Sequence, residues 1–462
     1  MRILHKLFSI GVLCAFGLPL AAQSTFILTV SPSNVQTVLT SHGLTIIKEI
    51  HDGTNCVYLV SSASSDAAGV EVEVEKDLLV AGFEPNQNIG LPELSGATQS
   101  NMTQSTAAVT DTLPGRTLVN FFGNTVPSNY VTQTATGIIR LDDARNATLL
   151  TGAGVVAIID TGADPYHPAL AGVLVGGYDF TRDTNGFSEL ADLDPTTAAA
   201  LQQSMSPILT SQNVYILNSF TAAILDQSMS PILTQSMSPI LTGLTDFGHG
   251  TMVAGVVHLI APTAKIMPLK AFRADGTSNL SDIVNAIYYA ADHGANIISM
   301  SFSMSQSSPG LQTAIQYALN KNVTLVASAG NDGQKTLVYP ASYGGVEGIG
   351  STSNTDVRST FSNYGSGVTL FAAPGEGVIT TYPGGNYAAA WGTSFSAPMV
   401  AGSAALVLQA RPASKPGDVT NALSKAKQIS DMGYGRIDLY QALTNLLSSA
   451  TGTSGGGTSG GK

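Results

Sequence analysis

Five apolar, β-rich runs recur between residues 155 and 372, at 155–159, 265–272, 296–302, 323–327 and 368–372. Helical patterns lie between several of them, notably over 280–293 and 311–321. Strands that stay apolar on both faces belong inside a parallel sheet covered by helices on either side. The expected fold is therefore an α/β, doubly wound and mainly parallel sheet, with right-handed crossovers and its ligand at the carboxyl ends of the strands.

What precedes this rhythm differs from it. Residues 25–86 alternate strand-like runs with a short helical stretch over 34–41, closed by Gly43, which reads as a small α+β unit. A composition rich in Ser, Thr, Gln, Ala and Gly from Leu91 to about Thr117 marks a linker. At the start, Arg2, His5 and Lys6 precede an apolar run over 7–22 that contains Pro19 and ends on Ala21 and Ala22. That run is shorter than the roughly 20 residues of a membrane span and carries a signal-peptide pattern, so secretion to the exterior or the periplasm is expected, without stable membrane insertion. The expected domains are 1–22 signal peptide, 23–87 small N-terminal domain, 88–122 linker, 123–447 main domain and 448–462 a Gly/Ser-rich tail.

The octet Gln-Ser-Met-Ser-Pro-Ile-Leu-Thr stands at 203–210, 227–234 and 235–242, and two degenerate copies between them complete a block over 203–242. A duplication expanded within a tolerant surface loop accounts for it, and an exosite or lid is the functional alternative. With 11% charged residues, a net charge of −11 and a sequence pI near 5.0, the chain lacks the clustered cations that nucleic acid requires. Loss of the signal removes Cys14 and leaves Cys56 with no partner for an intramolecular disulfide.

Four short motifs carry chemistry. An aspartate, Asp160, ends the 155–159 run before Thr161-Gly162; His249 lies in Gly-His-Gly-Thr; Asn331 follows the fourth run; Ser394 lies in Gly-Thr-Ser-Phe-Ser-Ala-Pro before a long apolar helix. Each alone fits a turn residue or helix cap. Asp-Thr-Gly is also the signature of aspartic proteases, but those need two carboxylates sharing a proton, and no second copy occurs in this chain. Taken together, the order Asp, His, Asn, Ser resembles the subtilisin-like serine proteases and separates the chain from chymotrypsin-like and α/β-hydrolase orders.

The resemblance covers about residues 123–445 and implies a reaction. His249 takes the proton of Ser394 as the serine attacks a scissile carbonyl, Asp160 holds the imidazole, and the Asn331 amide with the Ser394 N–H binds the oxyanion. It also implies peptide-binding edges at Gly276 and Thr277 and at Ser301, Phe302 and Ser303, with Ser303-Met304 replacing the family's usual glycine pair. No cofactor is implied. The family's strong calcium site is not expected, because Ala169 follows His167-Pro168 where an aspartate is usual, while weaker calcium sites stay open. The N-terminal unit resembles the inhibitory propeptide of the family, which implies a monomeric, self-processed zymogen whose partners are peptide substrates and its own propeptide. The alternatives are a peptide-binding pseudoenzyme on the same fold and a protease that cuts only itself.

Overall fold

The computed structural model describes residues 24–91, 117–196, 198, 215–216 and 246–451. The signal pattern at 1–22 and most of the octad block lie outside the described residues, as do the middle of the 88–122 stretch and the tail beyond 451.

Two compact units divide between Pro85 and Asn86. The first contains β1 (Ser24–Val30), α1 (Val35–His42), β2 (Leu44–His51), β3 (Cys56–Ser62), α2 (Ala67–Glu75) and β4 (Val80–Pro85). Its antiparallel sheet runs β2-β3-β1-β4. Phe26, Leu28, Val30, Val38, Tyr58 and Phe83 form its core, with the rings of Phe26 and Phe83 stacked 4.7 Å apart. Gly43 ends α1 in the left-handed conformation (φ 62°), which leaves its N–H free to bond the Leu39 carbonyl.

In the second unit, β5 (Asn88–Gly90) is followed by the hairpin β6 (Leu118–Phe121) and β7 (Asn124–Pro127). Next come α3 (Ser128–Val131), α4 (Thr134–Ile138), α5 (Leu141–Thr148), β8 (Val155–Asp160), β9 (Tyr178–Asp179), β10 (Thr184–Asn185) and a 3-10 turn over Glu189–Asp192. After β11 (Tyr215–Ile216) the alternation begins: α6 (His249–Ile260), β12 (Lys265–Lys270), β13 (Thr277–Asn279), α7 (Leu280–Asp292), β14 (Ile297–Met300), α8 (Pro309–Asn320), β15 (Thr324–Ser328). The chain closes with β16 (Val346–Thr352), β17 (Phe371–Pro374), β18 (Val378–Tyr382), β19 (Asn386–Ala390), α9 (Thr393–Ala410), α10 (Pro416–Leu423) and α11 (Leu439–Thr451).

The main sheet has eight strands in the order β10-β9-β12-β8-β14-β15-β16-β17, and every pairing except β10 with β9 is parallel. The doubly wound α/β fold read from the apolar runs is thus the observed one. Because β8 lies between β12 and β14, the direction in which successive strands are added to the sheet reverses at β8, and the loops after β8, β14 and β15 emerge at the same edge. Two of these strands depart from the sequence reading. β16 was not anticipated, since Val-Glu-Gly-Ile-Gly-Ser-Thr has too few apolar residues to read as a buried strand. The last parallel strand begins at Phe371 rather than at 368.

Every residue of α6 is buried, and so is α9 from Thr393 to Leu408. Small residues make this packing possible. A Cβ on Gly250 would stand 2.0 Å from the Gly162 carbonyl oxygen, so only glycine lets the start of α6 approach the loop after β8 this closely. The 88–122 stretch is ordered at both described ends, with β5 paired antiparallel to β13 and β6 paired to β7. Three or four residues each, these strands are too short to show an alternation in the sequence.

Candidate active site

Asp160 is the last residue of β8 and His249 the first of α6, with exposures of 0% and 2%. His249 Nδ1 lies 2.7 Å from Asp160 Oδ1. The same oxygen accepts the Thr161 N–H at 2.7 Å and stands 3.3 Å from the Thr161 hydroxyl. A carboxylate at this distance from Nδ1 fixes the neutral tautomer with the proton on Nδ1, which leaves the lone pair on Nε2 to act as a base. The Asp160 carboxylate then stabilises the imidazolium formed when that base is protonated.

Ser394 lies in the first turn of α9, fully buried, and the Phe395 ring is 5.4 Å from the His249 ring. Pro398 sits four residues on, inside the helix. Having no N–H, it cannot serve the Ser394 carbonyl in the usual i→i−4 pattern. The Ser301 hydroxyl does so instead, donating to that carbonyl at 2.9 Å, while Ser394 Oγ lies 3.4 Å from the Ser301 carbonyl. The loop after β14 is thereby fastened to the serine-bearing turn.

Asn331 follows β15. Its Oδ1 accepts both the N–H and the hydroxyl of Thr393, each at 2.9 Å. This pair of bonds orients the amide, since the carbonyl end faces Thr393 and the Nδ2 end is the donor turned elsewhere. Residues up to 234 positions apart (394 − 160) are thus brought together at the carboxyl ends of β8 and β15 and at two helix starts. His249 meets Asp160 directly, its ring lies 5.4 Å from that of Phe395 beside Ser394, and Asn331 is bonded to Thr393 on the other side of Ser394.

Residues 152–448 match the family model described as the Subtilase family. The chain belongs to that family. Among curated relatives, thermitase of Thermoactinomyces vulgaris is 34% identical over 304 residues, covering 62% of this chain and 88% of thermitase. The thermophilic serine proteinase of Bacillus sp. (strain AK1) is 33% identical over 294 residues, covering 63% of this chain. Fervidolysin from Fervidobacterium pennivorans shares the fold with a TM-score of 0.62 at 20% identity and 92% coverage of this chain. The chain spans 61% of the Bacillus proteinase and 61% of fervidolysin.

In this subtilase the expected substrate edges fall into two groups. Gly276 (φ 76°) and Thr277 lie at the start of β13, where Thr277 pairs with Gly90 and the Leu91 N–H donates to the Gly276 carbonyl at 3.0 Å. The edge expected to hold a peptide therefore carries residues 88–91 of the chain itself. Asn86 and Gln87 also serve α7, whose N-cap Asn279 makes no side-chain cap. Gln87 O accepts the Leu280 N–H at 2.8 Å and Asn86 Oδ1 the Ser281 N–H at 2.9 Å. Ser301, Phe302 and Ser303 follow β14. Phe302 is fully buried, its ring 5.4 Å from Phe272, and Met304 bridges Tyr339 through paired backbone bonds of 2.8 and 2.9 Å.

His167 is structural. Nε2 bonds the Asn386 carbonyl at 2.9 Å, Nδ1 accepts the Ala169 N–H at 3.2 Å, and burial holds its pKa below the ordinary value. Among the described residues, no group of three or more His, Cys, Asp or Glu is placed to hold a metal ion. Sequence reading missed the roles of Thr161, Thr251, Ser301 as a hydrogen-bond donor, and Thr393. The first two are the small polar residues inside the Asp and His motifs. For the others no signal exists, since a serine or threonine reads alike whether it caps, packs or braces.

Proposed function

We propose that this subtilase is a serine endopeptidase in which Ser394 attacks the scissile carbonyl, His249 carries the proton to the leaving amine, and Asp160 orients His249. Asn331 Nδ2 and the Ser394 N–H hold the oxyanion. The observation that carries this reading is the buried 2.7 Å contact of His249 Nδ1 with Asp160, in a family of serine proteases. Attack by the serine expels the amine and leaves an acyl-enzyme, which water then hydrolyses through the same base. Gly276 and Thr277 on one side and Ser301, Phe302 and Ser303 on the other bind the peptide in extended form.

The enzyme is secreted and made as a zymogen, with residues 23–87 as propeptide and a cleavage within 87–125. The antiparallel pairing of 88–90 with Thr277–Asn279 favours this second element, because a peptide substrate pairs with an edge in the same way. The mature enzyme acts as a monomer without a cofactor.

Fluorophosphonate labelling with mass spectrometry tests both elements. The expected result is a label on Ser394, a mature N-terminus within residues 87–125, and loss of both in Ser394→Ala. Folded, matured protein that takes no label at Ser394 sinks the enzyme reading. A wild-type level of maturation in Ser394→Ala sinks self-processing alone.

A further inference from the structure

The 3-10 turn Glu189–Asp192 lies outside every motif, yet its first residue reaches both halves of the Asp–His pair. Glu189 is 1% exposed. Its Oε1 bonds the Thr161 hydroxyl and lies 3.1 Å from the Gly250 N–H, and its Oε2 accepts the Thr251 hydroxyl. Thr161 follows Asp160 and contacts it twice, while Gly250 and Thr251 follow His249. The Gly250 N–H also donates to the Thr161 hydroxyl at 2.9 Å, and the Thr251 hydroxyl accepts the Asp164 N–H at 2.8 Å. One buried carboxyl thus joins the loop after β8 to the first turn of α6.

We propose that Glu189 is a positioning residue for the Asp160–His249 pair, acting through Thr161 and Thr251. The reading rests on the serine-protease assignment above. The Thr161 hydroxyl has one proton and two acceptors within reach, Asp160 Oδ1 and Glu189 Oε1. When Glu189 is the neutral acid, its own proton goes to Thr161 Oγ and the Thr161 proton goes to Asp160. Burial favours that neutral form, and the nearby Asp160 charge adds to it. The groups facing Glu189 are Asp160, Lys270, Tyr382 and, through Thr161 and Gly250, His249. Lys270, the one cation among them, is bonded to Asp192, Thr161 O and Phe272 O.

The test uses the full chain after maturation, with active sites counted by fluorophosphonate and turnover followed on a short chromogenic peptide. For Glu189→Ala, kcat per labelled site falls by about tenfold or more while KM stays within about twofold. Glu189→Gln, which keeps a neutral donor and acceptor in place, restores kcat to within about threefold of wild type. Thr161→Val raises the acid-side midpoint of kcat/KM by about half a pH unit or more, because Asp160 then has one donor fewer and holds the His249 cation more tightly. Wild-type kcat per site in Glu189→Ala overturns the proposal, as does a tenfold loss in Glu189→Gln or an unmoved midpoint in Thr161→Val. If Glu189→Ala does not fold, the other two variants decide. An unlabelled, inactive wild-type chain overturns the assignment on which the proposal rests, and is distinguishable from these outcomes.

Discussion

The Ser301 hydroxyl donates to the Ser394 carbonyl at 2.9 Å, an acceptor to which Pro398, having no N–H, cannot donate. Loss of one buried hydrogen bond costs about 0.5–1.5 kcal/mol, so Ser301→Ala should destabilise by about that amount and slow fluorophosphonate labelling. Adding Pro398→Ala supplies an N–H in the helix, and denaturant titration of the double variant should recover most of the stability. A double variant no more stable than Ser301→Ala would show that the bond has another role.

Asn331 offers a cleaner separation of binding from chemistry. Its Oδ1 is held by Thr393, and in the mechanism proposed above its Nδ2 is the donor that meets developing negative charge. Asn331→Ala should lower kcat by about 10²–10³, the magnitude seen for the oxyanion donor of subtilisin itself, with KM little changed. Steady-state kinetics on a short peptide check this, and a change confined to KM would assign Asn331 to substrate binding instead.

Stability should fall with rising pH through a buried carboxyl outside the catalytic set. Glu347, on β16, is fully buried with Oε1 bonded to the Thr420 hydroxyl at 2.8 Å and Oε2 unpartnered. Burial pushes its pKa up from 4.5 to about 7. A carboxyl raised in the folded state binds more protons folded than unfolded, so its contribution is intact below pH 4.5 and is lost as pH rises towards 7. The loss is on the order of 3 kcal/mol, and Glu347→Gln should remove this slope from denaturant midpoints measured between pH 4 and 8.

His258 predicts the opposite slope in acid. The Tyr130 hydroxyl gives its only proton to the Gly255 carbonyl at 2.7 Å, so His258 Nδ1, 3.0 Å away, must be the donor to Tyr130. Burial lowers the His258 pKa from 6.5 to about 3, with the charges of His167 and Arg145 acting the same way. A histidine lowered in the folded state resists protonation, so stability is full above pH 6.5 and declines as pH falls towards 3. His258→Asn keeps a donor near Tyr130 and should flatten the thermal-midpoint curve between pH 6 and 4. An unchanged acid slope would assign acid sensitivity elsewhere.

Much of the fold was legible because burial on both faces leaves a mark that needs no partner to read. The runs beginning at 155 and 265 are apolar whichever face is considered, and the helix at 280–293 shows its own period. β16 escaped, since glycines and a buried glutamate replace the expected aliphatic residues while α9 packs against the strand. β5 escaped for a related reason: its identity as a strand rests on the backbone of Thr277–Asn279, nearly 190 residues away (277 − 88).

The sequence by itself determined the order Asp160, His249, Asn331, Ser394 and the strand-end or helix-start setting of each, because those depend on residue type and near neighbours. Only the tertiary structure decided how the four are held. The Ser301 bond to the Ser394 carbonyl, the Thr393 grip on Asn331 and the Glu189 brace beneath Asp160 and His249 join residues 28 to 93 positions apart, or 62 in the case of Asn331 and Thr393. Such bonds depend on hydroxyls and carboxyls whose chemistry is the same at any surface position, and it is burial beside a particular partner that gives them a role.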